Sequence, residues 1–354
     1  MIFLTSMKCE LKGIDIRAIS TYLPANVLEM VSLNEVFGEK EVRHTILGSG
    51  IERLHVADDS QTSLDLCYEA AENLIHKDNI DRSAIDGLIM VSQTFDYLGP
   101  ASSIILQDKL GLSKDIVCFD IVYGCSGYIY GIYQASLLIS SGSCNNVLLL
   151  NGETNSHLID KSDKNQIMVF GDCGSATLIG KGEGALHFHI CSDGSGHRFV
   201  RNMRGGERAP ILIKNGEIPL DKKGNPILTI NDGTAVFDFI IHCGPQTIRT
   251  MLDYVGWDKD EVDFYALHQA TKVTIDFMRK RLRIDKNKSP FNLSNYGNTS
   301  STTIPLVITS YVHDNNIDTS TWRKVIMSAY GIGLSWGSIA CDLSKTRIYE
   351  PINK

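Results

Sequence analysis

A strand turns into a helix along Val117-Cys118-Phe119-Asp120-Ile121-Val122-Tyr123-Gly124-Cys125-Ser126-Gly127. The first six residues have the length and composition of a strand, and the long apolar stretch from Tyr128 to Ile139 predicts a buried helix. Cys125 therefore lies beside the first helical N–H groups and the positive end of the helix dipole. This position can lower the pKa of a thiol and favour the nucleophilic thiolate. The alternative is a small cysteine that only packs under the helix.

The second half of the chain repeats patterns of the first half. An acidic lead-in and an apolar strand at residues 84–91 recur at 261–267, and residues 119–126 are echoed by 291–299 with one residue inserted. Each half then supplies a closing pair of strands, which are 146–150 with 174–179 and 324–328 with 337–341. These repeats predict two similar α/β halves. We set the halves at residues 1–182 and 183–354.

The duplication predicts which residues share a pocket. If the halves pack about a pseudo-twofold axis, Cys125 and Asn298 occupy equivalent strand-to-helix corners and converge on one pocket. His268 follows the early strand of the second half and is expected to project toward the same place. The N-terminal half thus carries the cysteine, and the C-terminal half carries the histidine and the asparagine.

The composition excludes several classes of protein. The 354 residues, with 43% hydrophobic and 21% charged residues, are typical of a globular protein rather than a disordered one. A net charge of −7 argues against a nucleic-acid binder. The nine cysteines are scattered without a CxxC pair, which indicates neither a disulfide framework nor a metal site and favours a cytoplasmic protein. The apolar opening is too short for a signal peptide, and the helix at 126–141 contains too many polar residues for a membrane span.

Four segments of the chain resemble β-ketoacyl-acyl-carrier-protein synthase III, a family of the thiolase superfamily. The segments are residues 120–128, Leu267-His268-Gln269-Ala270, Tyr296-Gly297-Asn298-Thr299-Ser300 and Gly331-Ile332-Gly333-Leu334-Ser335-Trp336-Gly337. The resemblance implies an α/β protein with the thiolase-like duplicated five-layered αβαβα fold. It also implies a homodimer, a catalytic set of Cys125, His268 and Asn298, and no permanently bound cofactor.

The resemblance also implies a reaction in two steps. Cys125 would store the primer acyl group from an acyl-CoA or acyl-carrier-protein thioester, because a thiolate exchanges one thioester for another. The backbone N–H groups of Cys125 and Ile332 would hold the oxyanion. A malonyl-carrier-protein extender would then lose carbon dioxide, and His268 with Asn298 would stabilise the resulting enolate by hydrogen bonds.

A basic cluster follows the histidine segment. The helix predicted over residues 271–284 carries Lys272, Arg279, Lys280, Arg281 and Arg283. The cluster is either a solvated helix face or a docking surface for an acidic acyl carrier protein, whose approach opposite charge would speed and orient.

Two other functions remain open at this point. A papain-like cysteine hydrolase has the same order of Cys, His and Asn, but the duplication and the lack of a Cys-Trp pair argue against it. An acyltransferase of the same fold would move an acyl group to an amine or hydroxyl. The presence of both His268 and Asn298 favours condensation, because simple transfer needs no enolate stabilisation.

Some residues depart from the pattern of the family. Members that use acetyl-coenzyme A typically hold the adenine between a tryptophan and an arginine, where this chain has His44 and Gly48. Two asparagines that usually contact the pantetheine are replaced by Thr234 and Thr271, and an arginine is replaced by Val273. These departures predict a primer other than acetyl-coenzyme A, either larger or delivered by a carrier protein.

Overall fold

The computed structural model describes residues 7–159, 161–203, 206–217 and 229–353. Its strands are β1 (Met7–Leu23), β2 (Val27–Glu29), β3 (Arg53–His55), β4 (Gly87–Ser92), β5 (Val117–Val122), β6 (Asn146–Glu153), β7 (Cys173–Ser192), β8 (Val200–Asn202), β9 (Thr229–Asn231), β10 (Phe264–Leu267), β11 (Val325–Gly331), β12 (Ser335–Cys341), β13 (Arg347–Ile348) and β14 (Ile352–Asn353). Its α-helices are α1 (Asn34–Phe37), α2 (Glu39–Ser49), α3 (Ser63–Lys77), α4 (Ser102–Lys109), α5 (Gly127–Ser140), α6 (Lys164–Ile167), α7 (Arg208–Lys214), α8 (Gly233–Val255), α9 (Lys272–Leu282) and α10 (Thr303–Asp314).

Ten of the described strands join in one large mixed sheet, whose main path has the order β10-β11-β12-β7-β6-β4-β5 and in which β1 pairs with β7, β13 and β14. The pairs β2-β3 and β8-β9 form two small separate sheets. In the first half, β4 pairs in parallel with both β5 and β6, and β6 pairs antiparallel with β7. In the second half, β10 pairs in parallel with β11, which pairs antiparallel with β12. Strand β7 also pairs with β12, so it connects the two halves. The boundary that we set at residue 182 falls inside this strand and stays a proposal.

Five layers follow from the alternation of side chains along the strands. In β4, Met90 packs in the cluster formed with α3 and α4, whereas Val91 packs in the cluster formed with α5 and α10. In β10, Ala266 belongs to that same central cluster, whereas Tyr265 packs with α8 and α9. Successive side chains of a strand point to opposite faces, so each half of the sheet is covered on both sides. The predicted αβαβα order is confirmed, with α5 and α10 in the middle layer.

The strand-to-helix turn around the cysteine is formed as expected. The strand predicted at residues 117–122 is β5, and the buried helix predicted behind Cys125 is α5. Burial of Tyr128, Ile129 and Ile132 in the central core explains why this apolar stretch forms a helix without a strong polar face. The two closing strand pairs are also present, as β6 with β7 and β11 with β12.

The corner expected at Asn298 differs from the corner at Cys125. The chain before Asn298 forms a short 3-10 helix at Leu293–Asn295 instead of a strand, and an isolated bridge joins Phe170 to Asn298. Another 3-10 turn, Ser300–Thr302, precedes α10. The residue inserted in the second repeat and the positive φ of Gly297 and Ser300 (71° and 56°) bend the backbone away from a strand. The equivalence of the two corners is therefore approximate.

Candidate active site

The backbone around Cys125 is tightly packed. The N–H of Gly127 donates to the carbonyl of Gly124 at 2.6 Å and closes the turn that leads into α5. Gly331, at the end of β11, lies against the nucleophile, because a Cβ on this residue would be 2.8 Å from the Cβ of Cys125. The last strand pair of the second half thus packs directly against the cysteine of the first half.

The loop that carries Ile332 is tied to the same corner. Ser126 and Ser335 share a buried hydrogen bond with 2.6 Å between their Oγ atoms. Ser335 also donates to the carbonyl of Ile332 at 2.9 Å. Ile332 and Cys125 line one cavity, which fits the expected pair of oxyanion donors. The oxyanion role of their N–H groups stays a prediction.

His268 follows the last residue of β10, as the sequence predicts. Its N–H donates to the carbonyl of Ser328 at 2.7 Å, and its own carbonyl accepts from the hydroxyl of Tyr330 at 3.0 Å. Its Nδ1 lies 2.6 Å from the hydroxyl oxygen of Thr303. Burial lowers the pKa of His268 to about 3, partly opposed by the backbone of Ser300, which favours the protonated ring. The imidazole is therefore neutral at physiological pH.

Asn298 is held by its backbone and oriented by its side chain. Its N–H donates to the carbonyl of Val169 at 2.8 Å, and its carbonyl accepts from the N–H of Gly171 at 3.2 Å. The side-chain Oδ1 accepts from the N–H of Ser300 at 2.9 Å. This contact fixes the orientation of the amide, so Nδ2 is the atom that can donate to a ligand in the cavity.

The thiol of Cys125 does not have the lowered pKa that its helix position suggested. The pKa of Cys125 is raised to about 12, mainly by burial and also by the nearby Glu153, against a lowering contact from Ser300. Loss of hydration is the largest cause, because burial disfavours the charged form. The thiol therefore needs a group that takes its proton when it attacks.

Sequence reasoning missed three polar residues beside the expected set. The Ser300 hydroxyl lies 3.9 Å from the Cys125 Sγ and 3.4 Å from Oε1 of Glu153. Thr303 contacts His268, as described above. Ser300 belongs to a segment already singled out for Asn298, so its type and place were visible. Glu153 could have been recognised only from a weaker feature of the sequence, an acidic residue at the end of an apolar strand.

One cavity of about 430 Å³ brings the expected residues together. Cys125, His268 and Asn298 all line it, so the predicted convergence of the two halves on one pocket is present in the structure. Apolar side chains of α8 form much of the remaining wall, among them Val236, Phe237 and Ile240, and Ala270, Thr271 and Thr274 line it at the start of α9. Such a cavity suits an acyl chain with a reactive carbonyl near the sulfur.

The basic residues in and after α9 differ in whether they form contacts within the protein or are exposed to solvent. Arg279 donates to the carbonyl of Ser289 and pairs with Asp276 at 3.1 Å, so it holds the local structure together. Lys272 pairs with the same carboxylate at 2.5 Å. Lys280, Arg281 and Arg283 are exposed. Of the five residues expected to form a docking surface, the last three are exposed and form no ion pair with Asp276.

An acidic side chain near the nucleophile, the remaining cysteines and possible metal ligands were also candidates for a role in the site. Asp120 accepts from the N–H groups of Ser102 and Ser103 at 2.6 and 2.8 Å and so caps the start of α4, which is a structural role. All nine cysteines lie in the described part of the chain and are free thiols. Within the same part, no group of three or more His, Cys, Asp or Glu side chains could hold a metal ion. No described helix is long and apolar enough to cross a membrane.

Comparison with known proteins identifies the family of the chain. Two family models match the chain, 3-oxoacyl-[acyl-carrier-protein (ACP)] synthase III at residues 119–194 and its C-terminal domain at 252–343. Beta-ketoacyl-[acyl-carrier-protein] synthase III of Streptococcus sanguinis is 31% identical over 92% of this chain and 97% of its own. The protein of the same description from Porphyra purpurea is 33% identical over 82% and 87%.

Solved structures extend the comparison to the whole fold. The crystal structure of a 3-oxoacyl-(acyl-carrier protein) synthase from Burkholderia xenovorans is 30% identical, with a TM-score of 0.91 over 99% of this chain and 100% of its own. The identity, the coverage and the shared fold agree with the four sequence segments. The chain belongs to the β-ketoacyl-acyl-carrier-protein synthase III family.

Proposed function

We propose that this protein is a condensing enzyme that loads an acyl group onto Cys125 and extends it with a malonyl-carrier-protein unit. Carbon dioxide leaves, and a β-ketoacyl thioester forms. The observation that carries the proposal is the meeting of Cys125, His268 and Asn298 in one cavity of about 430 Å³. The family of the chain supports the same activity.

In the loading step the sulfur of Cys125 attacks the carbonyl carbon of an acyl thioester. The carbonyl oxygen becomes an oxyanion, which the N–H groups of Cys125 and Ile332 stabilise. Collapse of this intermediate releases the donor thiol and leaves the acyl group on Cys125. The Ser126–Ser335 hydrogen bond keeps the Ile332 loop beside the nucleophile, so the oxyanion donors are fixed before the substrate arrives.

In the condensation step the extender loses carbon dioxide and its electron pair forms an enolate. The Nδ2 group of Asn298 and the Nε2 group of His268 donate to the enolate oxygen. A neutral imidazole has one N–H, so Nε2 donates only when Nδ1 accepts. The hydroxyl of Thr303 then donates to Nδ1 across 2.6 Å, in preference to the Ser300 carbonyl at 3.1 Å. The enolate carbon attacks the acyl group and frees Cys125.

The two alternative functions are less well supported. The thiolase-like fold and the family membership do not favour a papain-like hydrolase. Simple acyl transfer to an amine or hydroxyl uses only the nucleophile and the oxyanion donors. The oriented amide of Asn298 and the neutral imidazole of His268 are the donors that an enolate requires, and they favour condensation.

An acyl carrier protein is the proposed partner. The first turn of α9 borders the cavity through Thr271 and Thr274, and the exposed Lys280, Arg281 and Arg283 lie at the far end of this helix. A helix rises 1.5 Å per residue, so the basic patch begins roughly 9–14 Å from the cavity wall. An extended prosthetic arm can span this distance while the acidic carrier rests on the patch.

A second copy of the chain is the other proposed partner. Strand β5 is the edge of the large sheet, and its last residue, Val122, is 74% exposed. Tyr97 and Leu98 expose 62% and 93% of their surface nearby, on the rim of a groove that Val122 also lines. An unpaired apolar edge is a suitable place for a symmetric contact between two copies.

The cysteines bear on the location of the protein. Nine free thiols fit a reducing compartment, so we include a cytoplasmic location in the proposal.

Mass spectrometry of the intact protein tests the proposal directly. The protein is exposed to acetyl, butyryl, hexanoyl and octanoyl thioesters of coenzyme A and of acyl carrier protein, and the added mass identifies the primer. Malonyl-carrier protein is then added. Loss of the adduct together with a β-ketoacyl product two carbons longer supports condensation. An adduct that passes to water or to an amine, with no β-ketoacyl product, contradicts it.

A further inference from the structure

Glu153 is a buried carboxyl group that the two steps above leave without a role. It is the last residue of β6 and is fully buried. Its Oε2 lies 3.3 Å from the N–H of Gln93 and 3.4 Å from the hydroxyl of Thr94. No lysine, arginine or histidine is among the groups that contact it within the described part of the chain. A carboxyl kept in such a place without a cation is costly to ionise.

Ser300 connects this carboxyl to the nucleophile. Its hydroxyl lies 3.4 Å from Oε1 of Glu153 on one side and 3.9 Å from the sulfur of Cys125 on the other. Its backbone has a positive φ of 56°, which is uncommon for a residue other than glycine. Such conformations persist where the surrounding structure requires them and cluster at active sites. Catalytic hydrogen bonds of this length commonly shorten when the substrate binds.

The loading step needs a group that accepts the thiol proton. The Cys125 thiol is partly buried and loses hydration in the fold, so its thiolate is poorly populated near neutral pH. His268 is a weak acceptor, because burial also disfavours its protonated form. A serine hydroxyl can receive one proton while it passes its own to a carboxylate, so the chain of Cys125, Ser300 and Glu153 has the required connectivity.

We propose that Glu153, acting through Ser300, receives the thiol proton of Cys125 during acyl loading. The inference rests on the proposed function. As the S–H bond breaks, the sulfur forms a bond to the acyl carbon, Ser300 takes the thiol proton, and the proton of Ser300 moves to Glu153. When the intermediate collapses, the bond between the acyl carbon and the donor sulfur breaks. Glu153 returns its proton to Ser300, and Ser300 passes its own proton to the departing thiolate. Glu153 ends the step as a carboxylate, and no other reactant is needed.

The ionisation of Glu153 fits this role. Burial raises its pKa to about 8, and the hydrogen bonds from Gln93, Thr94 and Ser300 limit the rise. The titratable groups that face it are Asp172, whose charge raises the pKa of Glu153, and the thiols of Cys67 and Cys125. A proton acceptor with a pKa close to the working pH is the most effective kind.

The test compares single-turnover loading of Cys125 from pH 6 to 10 in the full-length protein. The probe is octanoyl-acyl carrier protein, or the thioester from the panel above that loads fastest. Variants are Glu153→Gln and Ser300→Ala. Ser301→Ala is the matched control, because Ser301 is buried next to Ser300 and its hydroxyl has no partner among the described atoms. Loading by the unaltered protein tests the proposed function, and the variants test the relay.

We expect the loading rate of the unaltered protein to rise with a midpoint near pH 8. Both relay variants should load about a hundredfold more slowly and lose this midpoint, whereas Ser301→Ala should behave as the unaltered protein. Malonyl decarboxylation by protein that has been fully acylated through long incubation should change less than threefold, since it needs no thiol proton. Unchanged loading with the same midpoint in Glu153→Gln overturns the proposal. Equal losses in loading and decarboxylation also overturn it, because they indicate a purely structural role.

Discussion

Ser126 and Ser335 form a buried hydrogen bond with 2.6 Å between their Oγ atoms, although 209 positions separate them in the chain. Ser126 follows the nucleophile, and Ser335 begins the last long strand of the sheet. The bond joins the cysteine corner of one half to the oxyanion loop of the other half. The reactive geometry therefore depends on how the halves pack against each other and not on either half alone.

Ser335→Ala should lower the free energy of unfolding by about 1–3 kcal/mol, because it leaves the buried Ser126 hydroxyl without its partner. It should also slow acyl loading more than Ser126→Ala, because only Ser335 additionally holds the carbonyl of Ile332. Urea denaturation and single-turnover loading measure the two effects. The double variant should cost less than the sum of the two single variants. Equal loading rates in both single variants would contradict a positioning role for Ser335.

Cys125→Ala should abolish acyl loading while the fold is kept, because the substitution removes only the sulfur from a turn residue. Intact-protein mass spectrometry measures the adduct, and circular dichroism checks the fold. Cys118→Ala is a suitable control, since Cys118 lies in the neighbouring strand β5 and is also a partly buried free thiol. An acyl adduct on the Cys125→Ala protein means that another cysteine is the nucleophile.

Asn298→Ala should permit loading of Cys125 but slow decarboxylative condensation by about a hundredfold or more, the usual cost of one lost donor to a developing oxyanion. The backbone contacts of Asn298 with Val169 and Gly171 do not involve its side chain, so the loop should keep its position. Asn295→Ala, an exposed asparagine three residues earlier, is the control. If the Asn298 variant condenses at the normal rate, the enolate argument is wrong and simple transfer gains support.

Local patterns in the sequence predicted the elements that carry the site. The apolar run and the strand at residues 117–139 are visible because their periodicity depends only on neighbouring residues. The internal repeat predicted the strand pairs and the meeting of Cys125 with Asn298. The shape of the chain before Asn298 could not be predicted in this way, because it depends on an isolated bridge to Phe170 and on positive φ angles at Gly297 and Ser300.

The electrostatics of the site could not be obtained from the sequence. A helix N-terminus next to Cys125 predicts a lowered pKa, but the actual pKa depends on how much water the folded protein removes. Glu153 and Ser300 are 147 positions apart and meet only when α10 enters the middle layer. Long-range packing of this kind leaves no pattern in either local segment.

Glu153→Gln should also change how stability depends on pH. Burial raises the pKa of Glu153 from 4.5 to about 8 in the folded protein, so between these values the folded state binds more protons than the unfolded state. The contribution of Glu153 is fully present below pH 4.5 and is lost as the pH rises toward 8, at up to about 1.4 kcal/mol per pH unit. The stability of the Gln variant relative to the unaltered protein should therefore increase over this window. Urea denaturation at pH 5 and pH 8 measures it, and a constant difference contradicts the assignment.

The last prediction concerns the donor of the primer. His44 and Gly48 lie on the exposed side of α2, and the residue after this helix, Gly50, packs so closely on Lys272 that an added Cβ would be 2.7 Å from the lysine Cβ. The end of α2 therefore lies against the start of α9, which borders the cavity. In the resembling family a tryptophan and an arginine hold the adenine there. Their absence removes a stacking and cation–π contact of about 0.5–2 kcal/mol.

We therefore expect Cys125 to load faster from an acyl-carrier-protein thioester than from acetyl-coenzyme A. The double variant His44→Trp with Gly48→Arg should restore the adenine contact and speed loading from coenzyme A thioesters by about 2- to 30-fold. Its rate with acyl-carrier-protein thioesters, which carry no adenine, should stay the same and serves as the internal control. Single-turnover loading with both donors at equal concentration makes the comparison. Equal or faster loading of the unaltered protein from acetyl-coenzyme A would show that the missing adenine contacts do not determine the donor.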